Sequence, residues 1–485
     1  MIAGATRLAA RSAAVAVVGR WVSILSLALY LTLSLTACGS AERPSPAGAE
    51  PLGARRADAP PNVLIVSLDA LRADRLGSYG HTRDTSPFLD ALARQGTRYS
   101  RAFVNTHGTP PSHATLWTGL YQETHGVSMP YADGAKRGPR PRDRRDDRLP
   151  PELPIVPAAL RDAGYATLGF SGGGFLSRDF GFDRGFDVWH ESLSLQRAGQ
   201  RLLAELERQR GHGRPLFVFL HTYDIHSPYE APRRWRRAFG ALGSAHLGTT
   251  RSLQRLTWTR VEPDGPIADR LGRLYDAGIR HADETLERLF GHLERRGFLH
   301  RTLIIVTSDH GEELGDHRGV LHPATLFDEL LHVPLIVVGP GVEAGKVEEA
   351  PVSTVDLTAT LYAAARVEPA IEPEGRDLLA AAELPRSRAV FSQYARRLYS
   401  LRTPRYKLVH VPESGRSRLF DLRTDPDERL DVARQRPELT AHLLGRLERL
   451  RIQAAERALE VRTEASGGRP LAPETRRRLE ALGYF

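Results

Sequence analysis

From residue 62 onward, short apolar runs alternate with longer mixed stretches, and their lengths set the expected elements. The runs fall at 62–68 (NVLIVSL), 165–170 (YATLGF), 216–220 (LFVFL), 302–307 (TLIIVT) and 333–338 (VPLIVV). Continuous apolar runs of this length read as strands covered on both faces, as in a mainly parallel sheet. Between them, residues 283–297 place Leu286, Leu289, Phe290 and Leu293 on one face, with Glu and Arg opposite, at the helical period. The pattern predicts an α/β fold, a mainly parallel sheet flanked by helices, over 62–384. Beyond about residue 385 the texture changes. A short strand at 406–411 precedes a long amphipathic helix from about 438 to 460, so 385–485 is expected to form a smaller C-terminal α+β subdomain. Residues 134–151 (GAKRGPRPRDRRDDRLPP) read as a solvated loop.

Composition changes this picture little. Of 485 residues, 41% are hydrophobic and 26% charged, which supports a large core and excludes global disorder. The net charge of +9 comes almost wholly from arginine, since Lys136, Lys346 and Lys407 are the only lysines. No aromatic-interleaved basic stripe accompanies it, so no nucleic-acid partner is expected.

The N-terminus adds a compartment. Arg7, Arg11 and Arg20 precede a nearly wholly apolar stretch, 21–37, that closes on Leu35-Thr36-Ala37-Cys38. That layout is a secretory signal. Its ending resembles the lipobox of bacterial lipoproteins, in which the cysteine is lipidated and becomes the mature N-terminus. The expectation is a signal peptide over 1–38, a flexible tether over 39–61, and an exported lipoprotein held at a membrane, on its periplasmic or cell-surface side. An uncleaved anchor is the alternative, because 17 apolar residues reach the short edge of a membrane span. Cys38 is the chain's only cysteine, so no intrachain disulfide forms.

Candidate chemistry collects where the apolar runs end. The first leads into Asp69, the third into His221, Asp224 and His226, the fourth into Ser308, Asp309 and His310. In open α/β sheets, ligands bind beyond the carboxyl ends of the strands, so these groups can converge on a metal. In 105–119 (NTHGTPPSHATLWTG), Pro110 and Pro111 suit a helix start and leave Thr109 at its N-terminus. Free N–H groups and the dipole there favour an anion. The plain alternative is that Thr109 only caps the helix.

These segments resemble the sulfatase family of the alkaline phosphatase superfamily. NVLIVSLDALRADRLGSYG resembles its first strand and metal loop, and TPPSHATLWTG its nucleophile motif. HTYDIHSPYEAP, TSDHGEELGDHRG, VPLIVVGPG, VSTVDLTATL and LFDLRTDPDE resemble later blocks, in family order. The resemblance implies an alkaline-phosphatase-like fold and metal ligands at Asp69, Asp309 and His310, with the Thr109 oxygen also at the metal. It implies that His226 contacts the ester oxygens and that His322 stands near the leaving group. His113 takes the place of the usual arginine after Pro-Ser.

Several positions depart from the family pattern. The nucleophile is usually a Cys or Ser oxidised to formylglycine, whereas Thr109 would yield a ketone, so its own hydroxyl is expected to attack. The second signature begins as Gly164-Tyr165-Ala166-Thr167 but continues into Ser171-Gly172-Gly173-Gly174, without the usual Lys and His. Ala70 replaces a second loop aspartate, and His310 an asparagine. An all-oxygen set suits Ca2+ or Mg2+, and an added imidazole shifts preference toward Mn2+ or Zn2+. The implied protein is a metal-dependent hydrolase of sulfatase type, holding one divalent cation and cleaving sulfate or phosphate esters. The alternatives are a phospho-group transferase or phosphodiesterase, or a non-catalytic lipoprotein that binds anionic glycans. A second metal recruiting Asp224 or His221 stays open.

Overall fold

A computed structural model describes residues 59–129, 148–259, 261–262, 264–380 and 383–465. The signal segment, the tether up to residue 58, most of the 134–151 loop and the closing residues lie outside them. Among the described residues no helix is long and apolar enough to cross a membrane.

Eight strands form the main sheet: β1 (Asn62–Leu68), β2 (Thr97–Tyr99), β3 (Ala166–Phe170), β4 (Val188–His190), β5 (Leu216–Thr222), β6 (Thr302–Thr307), β7 (Leu335–Val338) and β8 (Lys346–Glu348). Their spatial order is β8-β2-β7-β6-β1-β5-β3-β4. The pairs from β6 through β1, β5 and β3 to β4 are parallel, while β7 runs antiparallel to both β6 and β2. The expected mainly parallel sheet is present, with one reversed strand. The three strands missed in sequence, β2, β4 and β8, have three residues each, too short for a periodic signal.

Side chains alternate between the sheet faces, and the two faces bury separate cores. Leu64, Val66 and Leu68 enter one cluster, with Leu274, Leu286 and Leu293 of the helix Pro266–Arg295. That helix extends 17 residues upstream of the stretch 283–297 marked by its clearest stripe. Val63 and Ile65 enter the other, with Phe217, Phe219, Leu303 and Ile305, under the helix Thr109–Thr118, whose Ala114, Leu116 and Trp117 join them.

At the C-terminal end, strands Val390–Tyr394, Leu398–Arg402, Tyr406–Val411 and Arg416–Asp421 make an antiparallel four-stranded sheet. The helix Pro437–Ala465 covers it through Leu443 and Leu447.

Candidate active site

Register and face together explain how distant residues meet. Central β1 pairs Ser67 with His221 of β5 on one side and with Thr307 of β6 on the other. Continuing the alternation on the face of Val63 and Ile65 leads to Ser67 and Asp69, from Phe219 to His221, and from Ile305 and Thr307 toward Asp309. Asp69 stays in line with the sheet edge through its backbone N–H, which donates to Thr222 O at 3.1 Å. Ala70 then takes φ 62, in the left-handed region, and its N–H donates to Asp309 Oδ1 at 3.2 Å. His310 N–H donates to the same oxygen at 3.0 Å.

The helix Thr109–Thr118 closes this face. All ten of its residues are buried, and Gly108 (φ 102) and Gly119 (φ 70) bracket it. Pro110 and Pro111 lack N–H groups and Ser112 N–H is spent on Gly108 O at 3.2 Å, so the helix start offers an anion little beyond Thr109 N–H and the dipole. The Thr109 hydroxyl donates to Asp69 Oδ2 at 3.2 Å.

Asp69, Asp309 and His310 present ligand atoms within 4.8 Å of one another, all buried. His310 Nε2 lies 3.6 Å from Asp309 Oδ2 and 3.9 Å from Asp69 Oδ1. These three atoms have no hydrogen-bond partner among the described residues. Leaving a pair of buried acids so close together is costly without a counter-charge. The cost shows in their titration: burial and the neighbouring Asp309 charge push Asp69 up to about 7. For Asp309 burial acts in the same sense, but His310, His113 and His221 outweigh it and hold that acid below the usual carboxylate range. Unpartnered oxygens and an imidazole nitrogen facing one point fit a divalent cation.

The other histidines divide by what their rings touch. His113 Nδ1 donates to Thr109 O at 2.8 Å and its Nε2 accepts from Ser67 Oγ at 3.0 Å, so both nitrogens are committed. His221 Nδ1 accepts from Gly172 N–H at 3.4 Å, which assigns the proton to Nε2, 3.2 Å from Asp69 Oδ2. Burial lowers both histidines to about 4, so they stay neutral. Together with Asp309 they form a second candidate ligand group. His226 and His322, both half-buried, pack at a tilt with ring centroids 5.3 Å apart, and His322 lies 4.9 Å from His310. Burial opposes a charge on His226, but Asp69 and Glu312 outweigh it and raise its pKa.

Asp224 does not join this group. Its carboxylate accepts from Leu195 N–H at 3.2 Å and from Thr222 Oγ1 at 2.7 Å, capping the helix Leu195–Arg208. Three residues of the site carried no signal of their own in the sequence. Glu312, fully buried with both oxygens unpartnered, stands behind His322, 3.6 Å from Nδ1. Tyr223 packs its ring on His221 and His226. His107 stacks on Tyr394 of the C-terminal sheet at 4.5 Å.

A family model, described as sulfatase, matches residues 61–367, which contain every ligand candidate above. The chain belongs to the sulfatase family. A second model, for the C-terminal part of N-sulphoglucosamine sulphohydrolase, matches residues 315–453 of this sulfatase. Arylsulfatase K of Bos taurus is 23% identical over 493 residues, covering 86% of each chain. The delta 4,5-hexuronate-2-O-sulfatase of Bacteroides thetaiotaomicron is 23% identical, over 79% of this chain and 86% of its own. The solved phosphonate monoester hydrolase of Agrobacterium radiobacter superposes with a TM-score of 0.65 at 23% identity, over 81% of this chain and 96% of its own, and shows the same fold. The protein is thus a sulfatase-family hydrolase of the sulfuric ester type, with an anionic ester as substrate and a buried residue group able to hold a metal.

Proposed function

We propose that this sulfatase cleaves its ester by direct attack of the Thr109 hydroxyl, at a site where Asp69, Asp309 and His310 hold one divalent cation. The observation that carries the reading is the hydrogen bond from Thr109 Oγ1 to Asp69 Oδ2, beside unpartnered Asp69 Oδ1, Asp309 Oδ2 and His310 Nε2. When bound, the cation supplies positive charge that favours the ionised threonine and the anionic ester. An imidazole among the ligands favours Mn2+ or Zn2+ over Ca2+ or Mg2+.

The chain's own groups account for the remaining steps. Thr109 Oγ1 forms a bond to sulfur or phosphorus as the bond to the leaving oxygen breaks, and its proton moves to Asp69 Oδ2, its acceptor in the structure. His226, half-buried and with its pKa raised, is placed to bind the ester oxygens, and His322 protonates the departing oxygen while Glu312 orients its ring. Water then attacks sulfur or phosphorus and gives a proton to His322, which restores it, while the bond to Thr109 Oγ1 breaks and Thr109 recovers its proton from Asp69. His113 holds the first turn of the nucleophile helix through Thr109 O. Because threonine cannot become formylglycine, phosphodiesters, phosphate monoesters and phosphonate monoesters join sulfate esters as substrates. Export and lipidation at Cys38 complete the proposal, placing the domain outside the cytoplasm on a tether.

The test is a substrate panel with the metal-loaded enzyme. Thr109→Ala should lose at least ~10³-fold in rate, Thr109→Ser should retain measurable activity, and intact mass should show unmodified threonine. Undiminished turnover in Thr109→Ala would remove the nucleophile. Sulfate hydrolysis without any activity on phosphorus esters would confine the substrate to sulfates.

A further inference from the structure

The run Ser171-Gly172-Gly173-Gly174 follows strand β3 at the sheet's carboxyl edge, beside Tyr223. Gly172 has no positive φ that would call for glycine, so the reason for glycine lies in space. A Cβ there would stand 2.5 Å from Tyr223 Cδ2 and 3.3 Å from Tyr223 N. At Gly174 it would stand 3.2 Å from the Tyr223 hydroxyl oxygen. Gly172 therefore leaves the space that this ring fills, while Gly174, beside the hydroxyl, also takes a left-handed φ of 59. The ring also packs edge to face with His221, at 4.8 Å between centroids, and with His226, at 5.6 Å.

A phenol seated this tightly is expected to have a bonded hydroxyl. That of Tyr223 is buried, yet it makes no hydrogen bond with a described residue. Thr109 and the backbone of Phe175 are its near neighbours, outside full hydrogen-bond geometry, and Asp69 and Asp309 stand close enough to act on it electrostatically. A buried donor without a partner beside a nucleophile is satisfied when an acceptor arrives, and the acceptor arriving here is the ester.

We propose that Tyr223 is a catalytic residue of this sulfatase: its phenol donates a hydrogen bond to a non-bridging oxygen of the ester that Thr109 attacks, and Gly172 is glycine so that the ring can seat. The proposal rests on the Thr109 reading for the position of the ester. The bond strengthens as charge gathers on that oxygen, which is how such a donor raises kcat rather than only lowering KM.

Two measurements test it on the metal-loaded full chain. In the steady state, Tyr223→Phe should lower kcat/KM roughly 10-fold to 100-fold, the range for a hydrogen bond to a charged group, with metal content and melting temperature unchanged. Gly172→Ala, which keeps the phenol but displaces the ring, should lose activity in the same direction. The Gly172→Ala/Tyr223→Phe pair should be no worse than Tyr223→Phe, because a displaced ring without its hydroxyl has nothing more to lose. The second measurement is calorimetric titration with inorganic sulfate in a Thr109→Ala background, where no nucleophile can partner the phenol. Adding Tyr223→Phe there should weaken sulfate binding by a similar factor. Unchanged kcat/KM in Tyr223→Phe with unchanged sulfate affinity would overturn the assignment, and additive losses in the double variant would overturn the role of Gly172. If Tyr223→Phe melts early, Gly172→Ala carries the same test. Full activity in Thr109→Ala would defeat the nucleophile, not this proposal, because the sulfate titration reads the phenol directly.

Discussion

At Asp69 two demands meet on one carboxylate. Oδ2 accepts from Thr109 Oγ1 and His221 Nε2, while Oδ1 is left unpartnered toward Asp309 and His310. Burial and Asp309 raise its pKa to about 7 in the metal-free protein, so a cation binding there must displace a proton below that pH. Metal affinity should therefore be flat above about pH 7 and fall by up to about tenfold per unit below it. Competition titrations with a chromogenic chelator between pH 5.5 and 8.5 would check the slope, and a flat profile would count against Asp69 as a ligand. Asp309→Ala should lower metal affinity by roughly 10-fold to 100-fold or more, taking the effect of a ligand's hydrogen-bond partner as a floor; metal analysis after dialysis reads it. His221, neutral and donating to Asp69, should cost less on substitution than Asp309. The sequence made Asp69, Asp309 and His310 visible because each follows an apolar run. It gave no sign of Glu312 or Tyr223, whose parts depend on which rings they touch across the fold.

At the scale of elements, Thr109, the proposed nucleophile, rides on a helix with no solvent face. Thr109–Thr118 is buried throughout, so its position is set by contacts all round and by its ends. Gly119 terminates it at φ 70, where a Cβ would meet Thr358 and Pro373 at 2.8 Å. Gly119→Ala should thus combine left-handed strain of about 1–2 kcal/mol with overpacking of about 1–3 kcal/mol. The expected outcome is a clear fall in denaturant midpoint together with reduced kcat; a stability loss with intact kcat would show that the helix end does not govern the position of Thr109. The same helix shows where pattern reading stops. Its all-round burial erases the polar stripe that marked residues 283–297, and only the prolines announced its start.

Across the whole molecule, the C-terminal sheet is joined to the α/β body by charge as well as by apolar contact. Lys407, fully buried, reaches Asp328 Oδ1 at 2.7 Å and Glu428 Oε1 at 2.8 Å, and Arg402 Nη2 reaches Asp328 Oδ2 at 2.8 Å. Arg388 similarly binds Asp356 of the helix Val355–Ala365 at 2.6 Å. Removing one partner leaves an uncompensated buried charge, so Lys407→Met should destabilise by about 3–5 kcal/mol. Urea unfolding followed by far-UV circular dichroism would check it. A midpoint within error of the parent would mean that the pair is relaxed by solvent. Outside the described residues, Cys38→Ala should abolish lipid attachment, and mass spectrometry of the mature N-terminus decides whether residues 1–37 are removed.

What the chain's linear order determined follows from short-range rules. Uninterrupted apolar runs specified buried parallel strands, the polar residues after them specified the functional edge, and the ordered motifs specified the sulfatase family. Nothing in the linear order says that β1 lies between β5 and β6, and that adjacency is what brings Asp69, His221 and Asp309 to one point. Asp224 makes the contrast plain. It shares a strand end with His221, three residues away, yet it turns back to cap a helix while His221 bonds Asp69. Strand propensity is written locally, whereas register and neighbour choice come from burying two separate faces at once. Only the tertiary structure could therefore decide which strand-end residues became ligand candidates, and show that Gly172 lies against the ring of a tyrosine.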